Sequence, residues 1–229
     1  MSLTKLVVFD IDGTLLDNLE QEDACYSRAL REGLGLREFS QDWASYHDVS
    51  DQGIAVEAYE REFGTTPSTA VIERTIDVFV DGLDRAHAVT PVRAVRGAAE
   101  LLFALRREGW CYAFATGAWR RAAEFKLRAA GLPVDGVVKA TSEDGPARSS
   151  IVRAAIARAE REIGGSFPRI VSVGDAIWDV ETARALALPF VGVGRGARAD
   201  KLRDAGARHV LRDYADQAVV FATFQDASL

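Results

Sequence analysis

Along this chain, short apolar runs alternate with longer stretches in which apolar residues return every third or fourth position. The runs KLVVF (5–9), CYAFA (111–115), GVVKA (136–140), RIVSV (169–173), PFVGV (189–193) and HVL (209–211) have the length and Val/Ile/Phe content of buried strands. Between the later runs, residues 119–130, 149–163, 177–186 and 199–205 carry helical spacing, and Gly131 and Gly206 stand where helices should stop. Strands alternating with helices predict an α/β fold, a Rossmann-like parallel sheet with helices on both faces. Such sheets place their sites at the carboxyl ends of the strands.

One interval breaks the alternation. About a hundred residues separate the first apolar run from the second, far more than an ordinary crossover needs. No strand pattern stands out between residues 18 and 89. Leu19, Ala24, Tyr26, Leu30 and Leu34 approximate one amphipathic stripe, and Ile72, Ile76, Phe79 and Leu83 form a cleaner one. Ser50 and Ser68 are candidate N-caps. The expected organisation is a core domain of residues 1–17 and 90–229 with an α-helical cap domain, residues 18–89, inserted after the first strand. A helix over residues 97–107 returns the chain to the core.

Composition narrows the setting. Apolar residues make up 48% and charged residues 27% of the 229 positions, enough for a sizeable core. A net charge of -6 offers no footprint for nucleic acid or an anionic membrane. Cys25 and Cys111 have no metal-like spacing and read as two buried or half-buried thiols. No run is long enough to span a bilayer, and the opening MSLTKLVVFD lacks the basic flank and long apolar region of a signal peptide. A cytoplasmic protein, monomeric or homodimeric, is expected.

The chemistry is concentrated where strands end. KLVVFDIDGTLLD closes its apolar run with Asp10 and Asp12, which point the same way if the chain is still extended. Gly13 permits a sharp turn, and Thr14 adds a hydroxyl beside exposed amides. Taken alone, the pair could be a turn and a cap. Two like charges so close repel, and a hard cation such as magnesium resolves the conflict. VSVGDAIWD repeats the grammar with Asp175 and Asp179 at the start of a helix, where N-capping is the simpler explanation for either alone. Two neighbouring strands that both end in paired acids would together supply one magnesium site. CYAFATGAWRR ends a third strand in Thr116 and Gly117, a hydroxyl and a free amide suited to an anion, with helix capping as the alternative.

Taken in order, VVFDIDGTLLD, FATG and GDAIWD resemble the haloacid dehalogenase-like hydrolase superfamily over nearly the whole chain, in particular its capped, phosphoglycolate-phosphatase-like members. The resemblance implies a nucleophilic Asp10 that forms an aspartyl-phosphate, and Asp12 as the acid and base. It implies magnesium held by Asp10, the Asp12 carbonyl and Asp175, and phosphoryl oxygens held by Gly13, Thr116 and Gly117. Dehalogenases lack the second aspartate, so Asp12 points to a small phosphorylated metabolite as substrate. A phosphosugar mutase and a non-catalytic binding or regulatory descendant are the alternatives.

The match departs from the family at its third motif. The usual lysine, often followed by proline, is missing. Arg148 stands at about the right distance, and its guanidinium supplies the same charge through a broader fork. It is the expected phosphate-binding cation, oriented by Asp179 or Glu143. Lys139 is its competitor, and a solvated Arg148 at a helix start is the simpler alternative. In the cap, His47 and Asp51 are candidate specificity residues, together with Arg120 beyond it. No lysine lies between Lys5 and Lys126, which disfavours the Schiff-base chemistry of a phosphonatase.

Overall fold

A computed structural model describes residues 5–17 and 21–228 of the chain. Six parallel strands form one sheet: β1 (Lys5–Phe9), β4 (Trp110–Ala115), β5 (Val138–Ala140), β6 (Arg169–Gly174), β7 (Phe190–Val193) and β8 (His209–Leu211). Their order is β5-β4-β1-β6-β7-β8, which puts β1 in the interior. Every run read as a strand from its apolar pattern is one. The fold is α/β, with helices on both faces of a parallel sheet.

Alternation along β1 explains why it is buried on both sides. Val7 and Phe9 enter a core with α4 (Ala98–Arg107), α5 (Arg120–Ala129) and α9 (Gln217–Asp226). Leu6 and Val8 enter the opposite core with Ile151 and Ala155 of α6 (Arg148–Ile163). A smaller cluster joins α7 (Ile177–Ala185) to α8 (Ala197–Asp204) through Val180, Ala183 and Leu202. Among the described residues no helix is long and apolar enough to cross a membrane.

Between Asp17 and Arg93 the described residues make three α-helices, α1 (Glu22–Glu32), α2 (Asp51–Phe63) and α3 (Thr69–Val89). Ser50 and Ser68 cap α2 and α3 by accepting from Gly53 N and Val71 N. Ile72, Ile76, Phe79 and Leu83 all face inward and pack with Tyr26, Leu30 and Leu34. Ala24, expected on the α1 stripe, is exposed, and Leu19 lies outside the described residues. Trp119 and Ala122 belong to the same apolar cluster, so the inserted helices pack directly on the start of α5.

Two features escaped the sequence pattern. The segments that lead into and out of the helical insert pair as a two-stranded antiparallel ribbon, β2 (Leu16–Asp17) with β3 (Arg93–Ala94). Two-residue strands carry no detectable alternation. The second is α9, whose apolar residues are too evenly spread for a clean stripe. It lies against the sheet, where Phe224 meets Phe9 edge-on with ring centres 6.2 Å apart.

Just before α9, Tyr214 is fully buried, and its hydroxyl donates to the Thr14 carbonyl at 3.0 Å. The C-terminal segment thereby braces the loop that follows β1. Tyr214→Phe leaves that carbonyl unpaired and should cost roughly 1–3 kcal/mol in urea denaturation. An unchanged midpoint would show that the bond is not needed.

Candidate active site

Register decides which residues meet. Phe9 of β1 lies level with Phe114 of β4 and Val173 of β6. The residues just beyond, Asp10, Thr116 and Asp175, therefore emerge side by side at the carboxyl edge of the sheet. Asp10 N donates to Val173 O at 2.9 Å, extending the pairing by one residue before the chain turns. Connections leave β1 and β6 toward opposite edges of the sheet, which opens a crevice there.

Asp10 shares the strand face of Leu6 and Val8, which is the face α6 covers. Arg148 is the first residue of α6, and its Nη2 sits 3.1 Å from Asp10 Oδ1 and 2.6 Å from Asp179 Oδ1. Asp179 is fully engaged, because its other oxygen accepts from Asp175 N and Ala176 N at 3.2 and 3.1 Å. It both closes the first turn of α7 and holds the arginine. Glu143, the other candidate partner of Arg148, instead accepts from the Arg120 backbone N–H.

Two glycines make this crowding possible. Gly13 has φ +77, and a Cβ there would overlap the Asp175 carboxylate. A Cβ at Gly117 would overlap the Arg148 guanidinium. Thr116 is buried, and its hydroxyl accepts from Ala118 N at 3.0 Å. It is not the N-cap of α5; that position belongs to Trp119, whose N–H is bound by Asp51 Oδ2 at 2.9 Å.

Carboxylate oxygens of Asp10, Asp175 and Asp179 all lie within 4.8 Å of one another, a spacing that fits a divalent cation. Burial is the largest influence on Asp10 and holds it well above the usual carboxylate range, although Arg148 pulls it down. Burial and the neighbouring Asp179 push Asp175 up to about 7. Both shifts are the electrostatic signature of acids short of positive charge, which a cation would relieve.

The Asp12 carboxylate turns away from that triad. Its Oδ1 lies 2.7 Å from Lys126 Nζ, a fully buried ammonium on α5 that also pairs with Glu22 of α1. Glu22 is pushed up to about 8 by burial and by Asp12, and Asp51 to about 7 by burial. Sequence reading missed Lys126 and Glu22. The available signal was a lone lysine on the apolar face of a predicted helix, in a chain with four lysines in all.

A cavity of about 210 Å³ opens over these groups, lined by Asp10, Asp12, Thr116, Gly117, Arg148 and Asp175 at one end. Of the candidate specificity residues, Asp51 lines it, whereas His47 and Arg120 do not. His47 is exposed, its backbone N–H bound by Glu57, and Arg120 pairs with Asp144 at 3.3 Å. Trp178, in the first turn of α7, also lines the cavity. Lys139 is remote from it, bound to the Val134 carbonyl and 3.7 Å from Glu124.

The sequence matches the haloacid dehalogenase-like hydrolase family over residues 4–186. No curated protein matches. A hydrolase from Pseudomonas syringae is 25% identical, with 98% of this chain and 100% of that one covered at a TM-score of 0.71. CbbY from Rhodobacter sphaeroides, solved in complex with phosphate, is 20% identical over 93% of this chain and 96% of its own, TM-score 0.68. A family hydrolase from Deinococcus radiodurans with bound phosphate and sodium is 21% identical over 98% of each chain, TM-score 0.56.

A folded-state value above the unfolded one means stability that is full below the unfolded value and lost as pH rises through the folded one. Glu22, Asp51 and Asp175 are all raised, from ordinary values of 4.5, 3.8 and 3.8. Asp144, which Arg158 holds below its ordinary value, titrates beneath that window. Urea denaturation with chelator should therefore show stability falling from about pH 5 to about pH 8. Lys126→Met leaves its carboxylates unpaired and should cost about 3–5 kcal/mol at the alkaline end, less at the acid end. A variant equally stable at both would refute this account of the cluster.

Proposed function

This chain belongs to the haloacid dehalogenase-like hydrolases, and from that premise we propose that it is a magnesium-dependent phosphatase of a small phosphorylated metabolite. The observation that carries the reading is Arg148 between Asp10 and Asp179 at the sheet edge, beside Thr116 and Asp175. Phosphate bound to CbbY supports the substrate class.

In this reading Asp10 attacks phosphorus, and the ester oxygen leaves with a proton from Asp12, whose carboxyl must first leave Lys126 and turn back toward Asp10. Asp12 then takes a proton from water, whose oxygen displaces Asp10 and releases inorganic phosphate. Arg148, Thr116 and the Gly117 amide hold the phosphoryl oxygens while negative charge builds on them. Asp179 keeps Arg148 aimed at that position. Asp10, Asp175 and the Asp12 carbonyl would hold magnesium, which screens the phosphate from the attacking carboxylate. Residues 18–89 serve as the cap domain over a core of residues 1–17 and 90–229, and the cap excludes water from the reacting groups.

Hydrolysis of an aryl phosphate should require magnesium and stop with chelator. Asp10→Asn should abolish it, and Arg148→Ala should lower kcat/KM by about 10²–10³-fold. Lys139→Ala should leave it unchanged. Full turnover in Arg148→Ala, or a comparable loss in Lys139→Ala, would sink the assignment of the arginine.

A further inference from the structure

The cavity has two chemically distinct ends. Beyond the phosphoryl end its wall carries the carboxyl groups of Glu22 and Asp23 and the rings of Tyr26, Trp43 and Phe79, with Asp51 between the two, its Oδ2 accepting from Trp119 N. Among the described residues that line it, Arg148 is the one basic side chain, and Asp10 and Asp179 already engage it. A phosphoryl group would use that charge completely. Any second charge on the substrate must be accommodated by the acidic, aromatic end.

That end is short of positive charge. Lys126 lies beneath it and pairs with Asp12 and Glu22, and Asp51 adds a third acid near the same ammonium. Asp23 adds a fourth carboxylate and accepts from Trp43 Nε1 at 3.0 Å, which fixes the indole against the acid. Tyr26 packs edge-on to both Trp43 and Phe79, each with ring centres 5.4 Å apart, so the aromatic wall is continuous. Carboxylates beside aromatic faces attract an ammonium through charge and through the ring quadrupole. A second anion there would meet carboxylates over a single buried ammonium that Asp12 and Glu22 already pair, and its desolvation would go unreplaced.

We propose that the substrate is a phosphomonoester of an amino alcohol, with its ammonium against Glu22, Asp23 and the Tyr26–Trp43–Phe79 wall. This rests on the phosphatase reading and narrows it. The elevated Glu22 and Asp51 fit the same picture, because a ligand ammonium would favour their charged forms. A competing arrangement lies past Trp178, where an adjoining groove carries Arg198 and Lys201. Arg198 is tied to Asp175 at 3.1 Å, so its charge is already engaged.

The test compares three small esters on the magnesium-loaded full chain: 2-aminoethyl phosphate, ethyl phosphate and phosphoglycolate, with an aryl phosphate as reference. The ammonium ester should exceed the neutral one in kcat/KM by about tenfold, with phosphoglycolate slowest. Asp23→Asn, at an exposed position that should not disturb folding, should move the ammonium-to-neutral ratio toward one, chiefly through KM. Equal or reversed preference, with the aryl phosphate still hydrolysed, overturns the amine assignment and leaves the phosphatase reading intact. Failure to hydrolyse the aryl phosphate and every ester removes the phosphatase reading and the amine assignment with it.

Discussion

Arg148 carries a permanent charge into the gap between Asp10 and Asp179, and the arrangement of the cleft depends on that ion triad. Burying carboxylates at strand ends is costly unless they are paired. The guanidinium meets two of them through one nitrogen, while Asp179 spends its remaining oxygen on the amides at the mouth of α7. The two glycines follow from the same constraint. Gly117 leaves room for the guanidinium, and Gly13 leaves room for Asp175.

A second buried cation organises the other side. Lys126 lies beneath the floor of the cleft and joins Asp12, from the loop after β1, to Glu22, from the first inserted helix. The inserted helices are thus tied to the sheet by charge as well as by the apolar contacts of Trp119. The start of α2 adds polar ties: Asp51 N donates to Gly117 O at 2.8 Å, and Ser50 Oγ donates to Pro146 O at 3.0 Å. These contacts end on the loops that carry Thr116 and Arg148. A shift of α2 would therefore be felt by the residues that line the phosphoryl end.

Charge in the cleft is unevenly distributed. At the sheet edge an arginine and a potential cation site face each other across Asp10. Farther out the wall is acidic and aromatic. Under the proposed function a phosphoryl group would enter toward the sheet, because Arg148 is the one basic side chain among the described residues that line the cavity.

Much of this fold was legible in the chain. Parallel strands buried on both faces read as unbroken apolar runs, so all six were visible, and the carboxyl ends of β1, β4 and β6 already held the acids, the threonine and the glycines. Local spacing also placed Asp179 in the first turn of α7. What tertiary structure alone decided were the pairings across long separations. The choice of Asp179 over Glu143 as partner of Arg148 depends on α6 covering the Asp10 face of β1. That His47 and Arg120 stay off the cavity wall while Trp178 lines it was likewise settled only by packing. The partners of Lys126 could not be named from the chain, because the carboxylates that hold it come from positions 12 and 22, brought to it by the sheet and by the docking of α1. Periodicity records which face of an element is buried, whereas the partner waiting on that face is set only when the elements pack.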